Sequence, residues 1–248
     1  MNAASSEWTK FWSVRSTWWC LISGVLLMLA YSGAVGLAAN AGVERSMAPH
    51  AVVIGAAFYL TQFAVVALAT LFITSEYASG SIRSTLQWVP VRNRVLAAKS
   101  AVLVPVLFCY GVLNTLAGVA ISAPLIPAQD SSVGEVLATS ASMGGYFALL
   151  GLLCLGLGTA LRSTAGTIVT VFVLLVMIPM FAGSLGGEDA VNYFPGFAGV
   201  NAMLASGEPN PIFGGVAPYA RWVGIALCTA WAAAGLAAGS TVLRRRDA

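Results

Sequence analysis

The sequence predicts an all-α, polytopic membrane protein with six transmembrane helices, and three observations carry that reading. Only 8% of the 248 residues are charged, against about 25% in a soluble domain. Hydrophobic residues make up 58% of the chain and mean hydropathy is +0.85. The charges are spaced so that six windows of 22 or more residues hold none. A water-soluble globule of this size could not cover its surface with so few charges, and a disordered chain would not be so apolar.

The windows are 16–43, 46–75, 100–129, 136–161, 163–187 and 222–243. A charge at the bilayer centre costs about 2.5–3.5 kcal/mol on insertion scales, and a spanning helix needs about 20 apolar residues. Each window therefore holds one span and none holds two. A further window, 190–207, carries Asn192, Pro195 and Asn201 and is not counted as a span. Ala39-Asn40-Ala41 has the form of a signal-peptidase site. The apolar stretch from Trp18 to Leu37 exceeds the roughly 7–15 residues of a signal-peptide core, so a retained first helix is expected.

Six spans place both termini on one side. With the N-terminus in the cytoplasm, Lys10, Arg15, Arg83, Arg92, Arg94, Lys99, Arg162, Arg244, Arg245 and Arg246 lie inside, and only Arg45 and Arg221 lie outside. The positive-inside rule selects this N-in, C-in topology.

Residues 5–17 come first. Trp8, Phe11, Trp12 and the nearby Trp19 recur near helical spacing, with Glu7, Lys10 and Ser13 between them. This pattern predicts an amphipathic helix in the cytoplasmic interface. Residues 74–99 form the main cytoplasmic loop. Ser75 can cap a short helix, with Glu76 at its positive end; Ile82 and Leu86 share one face, and Pro90 ends it. Arg162-Ser163-Thr164 is a minimal connection, so spans four and five are expected as a tight antiparallel pair. Residues 183–215 are rich in Gly and Pro and are expected to re-enter the outer leaflet as half-helices before span six, which needs backbone partners from protein or water.

Most enzyme chemistry is excluded by what is missing. No G-x-x-x-x-G-K-[ST] loop is present, so the chain has no ATPase site of its own. The only histidine is His50 at the outer end of span two, and H-E-x-x-H is absent; no catalytic, cofactor-binding or metal residues are assigned. Cys20, Cys109, Cys154 and Cys228 lie in apolar stretches without CxxC spacing and read as packing residues. A net charge of +3 gives no basic face for nucleic acid. Gln62 and Asn114 are the most polar residues deep in spans two and three. They serve either as hydrogen-bonding glue between helices or as substrate contacts. Glycines in span four, and Gly235 and Gly239 in span six, point to close helix packing.

The 76–99 loop resembles the first cytoplasmic loop of type-2 ABC transporter permeases, the exporter-type membrane subunits. The family pattern falls on Glu76, Gly80-Ser81, Leu86, Pro90, Arg92 or Arg94, and Lys99, and the layout of the whole chain is similar. The resemblance implies that residues 76–90 form a coupling helix docking on a separate ATPase (nucleotide-binding) subunit, with Glu76, Tyr77, Gly80, Ser81, Ile82, Arg83, Leu86 and Pro90 at that contact. It implies that the N-terminal helix is a connecting helix and that 183–215 help close an outer gate. It also implies a pair of permeases, identical or paralogous, in a bacterial plasma membrane, with ATP and Mg held by the ATPase subunits. The pathway would run mainly along spans two and five, with Phe58, Gln62, Asn114, Phe172 and Met177 as candidate lining residues. The cargo would be hydrophobic or amphiphilic: a drug, antibiotic, peptide or lipid. A secondary transporter or channel without ATPase is the alternative.

Overall fold

The computed structural model describes residues 3–42, 47–81, 92–126, 131–185, 188–205, 207–212, 215–216 and 218–245. It is all-helical, and six helices are long and apolar enough to cross a membrane. They are span 1 (Arg15–Asn40), span 2 (Pro49–Ala78), span 3 (Arg92–Ser122), span 4 (Val133–Leu161), span 5 (Thr164–Ser184) and span 6 (Arg221–Arg245). The chain is a multi-pass helical membrane protein. A separate N-terminal helix covers Ala3–Ser13, and a short cap helix covers Pro195–Met203.

The span boundaries follow local chemistry. Span 4 begins three residues before its charge-free window because Ser132 accepts from the Glu135 N–H while Glu135 accepts from the Ser132 N–H, a reciprocal cap. Spans 4 and 5 are joined through Arg162, whose φ of 54° lets the chain reverse within two residues, and Ser163 caps span 5 by accepting from the Gly166 N–H. Thr74 and Thr164 hydroxyls meet at 2.7 Å, so the end of span 2 and the start of span 5 lie at the same end of the bundle. Arg244 reaches Asn93 there as well. This end carries most of the described basic residues and is called the basic end below.

Spans 2 and 4 form the centre: 67% of the apolar window of each is buried, against 22% for spans 1 and 5. Span 4 meets its neighbours through glycine. A Cβ on Gly156 would sit 2.3 Å from the Gly235 carbonyl carbon, and one on Gly239 would sit 2.5 Å from the Gly156 oxygen. A Cβ on Gly111 of span 3 would lie 2.7 Å from Gly144 Cα. Backbones approach this closely only where side chains are absent, which favours dispersion contacts in a medium without a hydrophobic drive between helices.

Two spans carry a single wide turn with π-helical bonding, Ala57–Thr61 in span 2 and Val173–Met177 in span 5. Such turns concentrate at functional sites. The cap helix, every residue of it buried, reaches both. Phe197 packs edge-on against Phe58 at 5.1 Å, and a Cβ on Gly196 would meet the Leu175 oxygen at 2.9 Å. Within the 190–207 window, Pro195–Met203 is thus a short buried helix rather than a span.

The N-terminal helix departs from its expected form in two ways. It ends at Ser13, and Val14 takes an extended conformation before span 1 begins, so Trp19 belongs to span 1 and not to the same stripe. Its inward face is Glu7 and Phe11, both buried, while Trp8 is about half exposed. The polar Glu7 faces the bundle because a buried ammonium awaits it there.

Candidate functional site at the basic end

The end of span 2, the start of span 3 and the N-terminal helix meet in a cluster of four charges. Lys99 is fully buried. Its Nζ donates to Glu7 Oε2 at 2.7 Å and to Glu76 Oε1 at 2.9 Å, and it lies 4.2 Å from the centroid of the Phe72 ring. Lys10 bridges the same two carboxylates from the outer side, at 2.9 Å from Glu7 and 3.2 Å from Glu76. Two acids and two bases balance, which is what makes their burial tolerable, since an unpaired buried charge is costly. Burial alone would push the Glu7 carboxyl up, but the Lys99 and Lys10 ammonium groups outweigh it and hold Glu7 below the usual carboxylate range. Burial would likewise lower Lys10, and the two carboxylates outweigh it and raise Lys10. Glu76 Oε2 is buried with no hydrogen-bond partner.

This geometry corrects one expectation. Ser75 does not start a new helix, and residues 76–78 do not open one. The span 2 helix runs unbroken to Ala78, because Glu76 is drawn inward to Lys99 instead of serving the positive end of a following helix. Span 2 then terminates with Ser79 bonded back to Ser75 and with Gly80 at a φ of 73°, a left-handed exit that favours glycine. Ser79 and Ser81 hydroxyls meet at 3.0 Å. Tyr77 packs its ring under the Arg162 guanidinium at 5.3 Å. Ile82, Arg83, Leu86 and Pro90 lie outside the described residues, as does residue 91.

The candidate pathway residues fall into separate settings. Phe58 sits in the wide turn of span 2 and is buried against the cap helix. Gln62, fully buried, donates from Nε2 to the Phe58 carbonyl and accepts the Tyr146 hydroxyl at 2.6 Å. Asn114, also fully buried, donates to the Tyr110 carbonyl one turn back at 2.9 Å; its Oδ1 has no partner. Gln62 therefore acts within the chain as a link between spans 2 and 4. Phe172 is 40% exposed on span 5 and its ring lies 5.9 Å from that of Phe63 on span 2. Met177 is half-buried in the wide turn of span 5. The structure thus joins Phe58 to Gln62, and Phe172 to span 2.

Sequence reasoning missed Glu7 and Tyr146 as functional residues, and it took Lys99 only as the basic residue entering span 3. It placed Glu76 at the positive end of a short cytoplasmic helix and Lys99 at the start of span 3, and did not bring the two together. The available signal was that both charges closely flank long apolar windows, where a helix extending past the window carries them into the bundle.

At the opposite end, His50 is buried between Ser131, 2.9 Å from Nδ1, and Glu208, 3.1 Å from Nε2. The Glu208 carboxylate also accepts the Ala205 N–H. Asn201 donates to Asn192 Oδ1 and accepts from Asn210 Nδ2. Arg221 donates to the carbonyls of Met203 and Leu204, closing the C-terminal end of the cap helix. Among the described residues no three His, Cys, Asp or Glu side chains are placed to hold a metal ion, and all four cysteines are unpaired thiols.

Neither a protein-family model nor a curated protein sequence matches the chain.

Proposed function

We propose that the chain is the membrane-spanning permease subunit of an ATP-driven exporter of the ABC type, powered by separate ATPase subunits. It would lie in a bacterial plasma membrane with both termini in the cytoplasm, pair with a second permease, and move a hydrophobic or amphiphilic cargo outward. The observation that carries the reading is the Glu7–Lys99–Glu76 tie. It fastens the N-terminal helix, the end of span 2 and the start of span 3 into one unit, right where the polypeptide leaves span 2 for residues 82–91. A push on that segment would be passed to two spans and the N-terminal helix together, which is what a subunit driven from outside requires. The similarity of Glu76, Gly80-Ser81, Leu86, Pro90 and Lys99 to the exporter pattern supports the same assignment. An ion-coupled carrier would draw on the buried charges instead, but the Glu7–Lys99 and Glu76–Lys99 contacts pair them at one end of the bundle, away from the midplane where such carriers bind their ions.

The test is to purify the tagged chain from its native membranes and assay for ATP-binding subunits, with Ile82→Asp and Leu86→Asp alongside. Loss of copurification by about tenfold or more in the variants is expected, as for anchors of an interface. Unchanged assembly and unchanged ATP-dependent export would remove the assignment, and transport that survives ATP depletion on a proton gradient would favour the carrier.

A further inference from the structure

We propose that the junction of spans 3 and 6 at the basic end is a docking site for an anionic phospholipid, whose phosphate bridges Arg94 of span 3 to Arg244 and Arg245 of span 6.

The two helices meet there. Arg244 Nε lies 3.5 Å from Asn93 Oδ1, and Arg94 is the next residue along span 3. Span 3 begins at Arg92, so Arg94 stands in the first turn of a 31-residue helix, at the positive end of its dipole. Arg244 and Arg245 occupy the last turn of span 6, where two full charges exceed the roughly half charge of the negative helix end.

Charge selects the ligand. All three arginines are exposed, and among the described residues none has a carboxylate partner. The acids described at this end, Glu7 and Glu76, are taken by Lys10 and Lys99. Three like charges are thus gathered with no described side chain to balance them. Arg244 turns its Nε to Asn93 and keeps both Nη groups, and a guanidinium fork matches phosphate oxygens. A zwitterionic headgroup brings its own cation, which these arginines repel; an anionic headgroup does not. The arginines also border the apolar windows of both helices. Exposed residues at helical spacing from them are small: Ala97 and Ala101 on span 3, Ala237 and Thr241 on span 6. They leave room for acyl chains to lie against the two helices, which commits the site to a lipid and not to a free anion.

The site draws only on the membrane setting, not on the ATPase partnership, and its test contains no nucleotide. The purified chain is incubated in detergent micelles with phosphatidylglycerol, phosphatidylcholine or phosphatidylethanolamine, and retained lipid is measured by native mass spectrometry. Retention of phosphatidylglycerol at least about tenfold above both others is expected, a difference of about 1.4 kcal/mol. Arg94→Gln and Arg244→Gln, one on each helix, should each lower it several-fold. Combined with Arg245→Gln they should erase the preference at unchanged melting temperature in lipid-free detergent. Arg15→Gln removes an equal charge from an exposed position at the start of span 1 and should leave the preference intact. Should the triple variant fail to fold, Arg245→Glu reverses one exposed charge and should lower retention by itself. Equal retention of the three lipids or an undiminished preference in Arg94→Gln would overturn the proposal. So would a loss in Arg15→Gln as large as in Arg94→Gln (a diffuse field only), or displacement of the lipid by inorganic phosphate at matched ionic strength (an anion site without a lipid).

Discussion

The Lys99 ammonium and the Glu7 carboxylate lie 2.7 Å apart although 92 residues separate them in the chain. Lys99 also holds Glu76, so removing it leaves two buried carboxylates sharing the half-exposed Lys10 alone. Breaking a buried pair from one side costs about 3–5 kcal/mol, whereas replacing the whole group by neutral residues of similar volume is near neutral. Lys99→Met is therefore expected to lower the melting temperature of the detergent-solubilised chain strongly. Adding Glu7→Gln and Glu76→Gln should recover most of the loss. A triple variant as unstable as the single would show that the cluster's charges are not what Lys99 serves.

Docking of the N-terminal helix should depend on acid. The folded Glu7 carboxyl titrates below its ordinary value of 4.5. The unfolded carboxyl thus binds its proton first as pH falls, so the stabilisation is full above about 4.5 and disappears as pH drops through the lower folded value. Hydrogen exchange over residues 3–13 should speed up across that window in the native chain and do so less in Glu7→Gln. An identical acid response in the two would contradict this.

Glycine contacts make a sharper prediction about packing. Gly156→Ala places a Cβ against the Gly235 backbone, which cannot swing aside, so overpacking of about 1–3 kcal/mol is expected. Gly145→Ala, whose Cβ would meet only Ile225 Cδ1 at 3.7 Å, should be nearly neutral and gain slightly from helix propensity. Thermal melting of the pair separates the two outcomes.

Tyr146→Phe removes the hydroxyl that Gln62 Oε1 accepts. Hydrogen bonds between membrane helices average about 0.6 kcal/mol and reach about 1.7. A double-mutant cycle with Gln62→Leu should return a coupling in that range. A coupling near zero would mean that Gln62 is anchored by the Phe58 carbonyl alone.

Much of the architecture was legible because bilayer energetics act on charge, and charge is visible in sequence. Each of the six windows overlaps one spanning helix, and the Pro- and Asn-bearing stretch at 190–207 was rightly kept out of the count. The helix ends were not legible by that means. Ser132 and Glu135 extend span 4 backward through capping, and Glu76 and Lys99 stay helical because they satisfy each other inside the bundle. The site was half visible. Glu76 stood out by its place at the end of span 2, but Glu7, the other carboxylate on Lys99, belongs to a helix whose aromatic spacing suggested that its acids faced water. Pairing across 92 residues, from Glu7 to Lys99, is a tertiary fact that no local pattern carries. The same holds for His50, whose partners Ser131 and Glu208 come from two distant connections.

Where Gly156 meets Gly235 and Gly239, and Gly111 meets Gly144, there is no rotamer to flip and no side chain to give way. Spans 3, 4 and 6 are thereby welded into a keel that cannot hinge internally. Any alternation between inward and outward shapes falls to the outer, sparsely attached helices, span 5 above all. If the chain is the proposed exporter subunit, a covalent staple between spans 4 and 6 should leave turnover intact, and one between spans 2 and 5 should stop it.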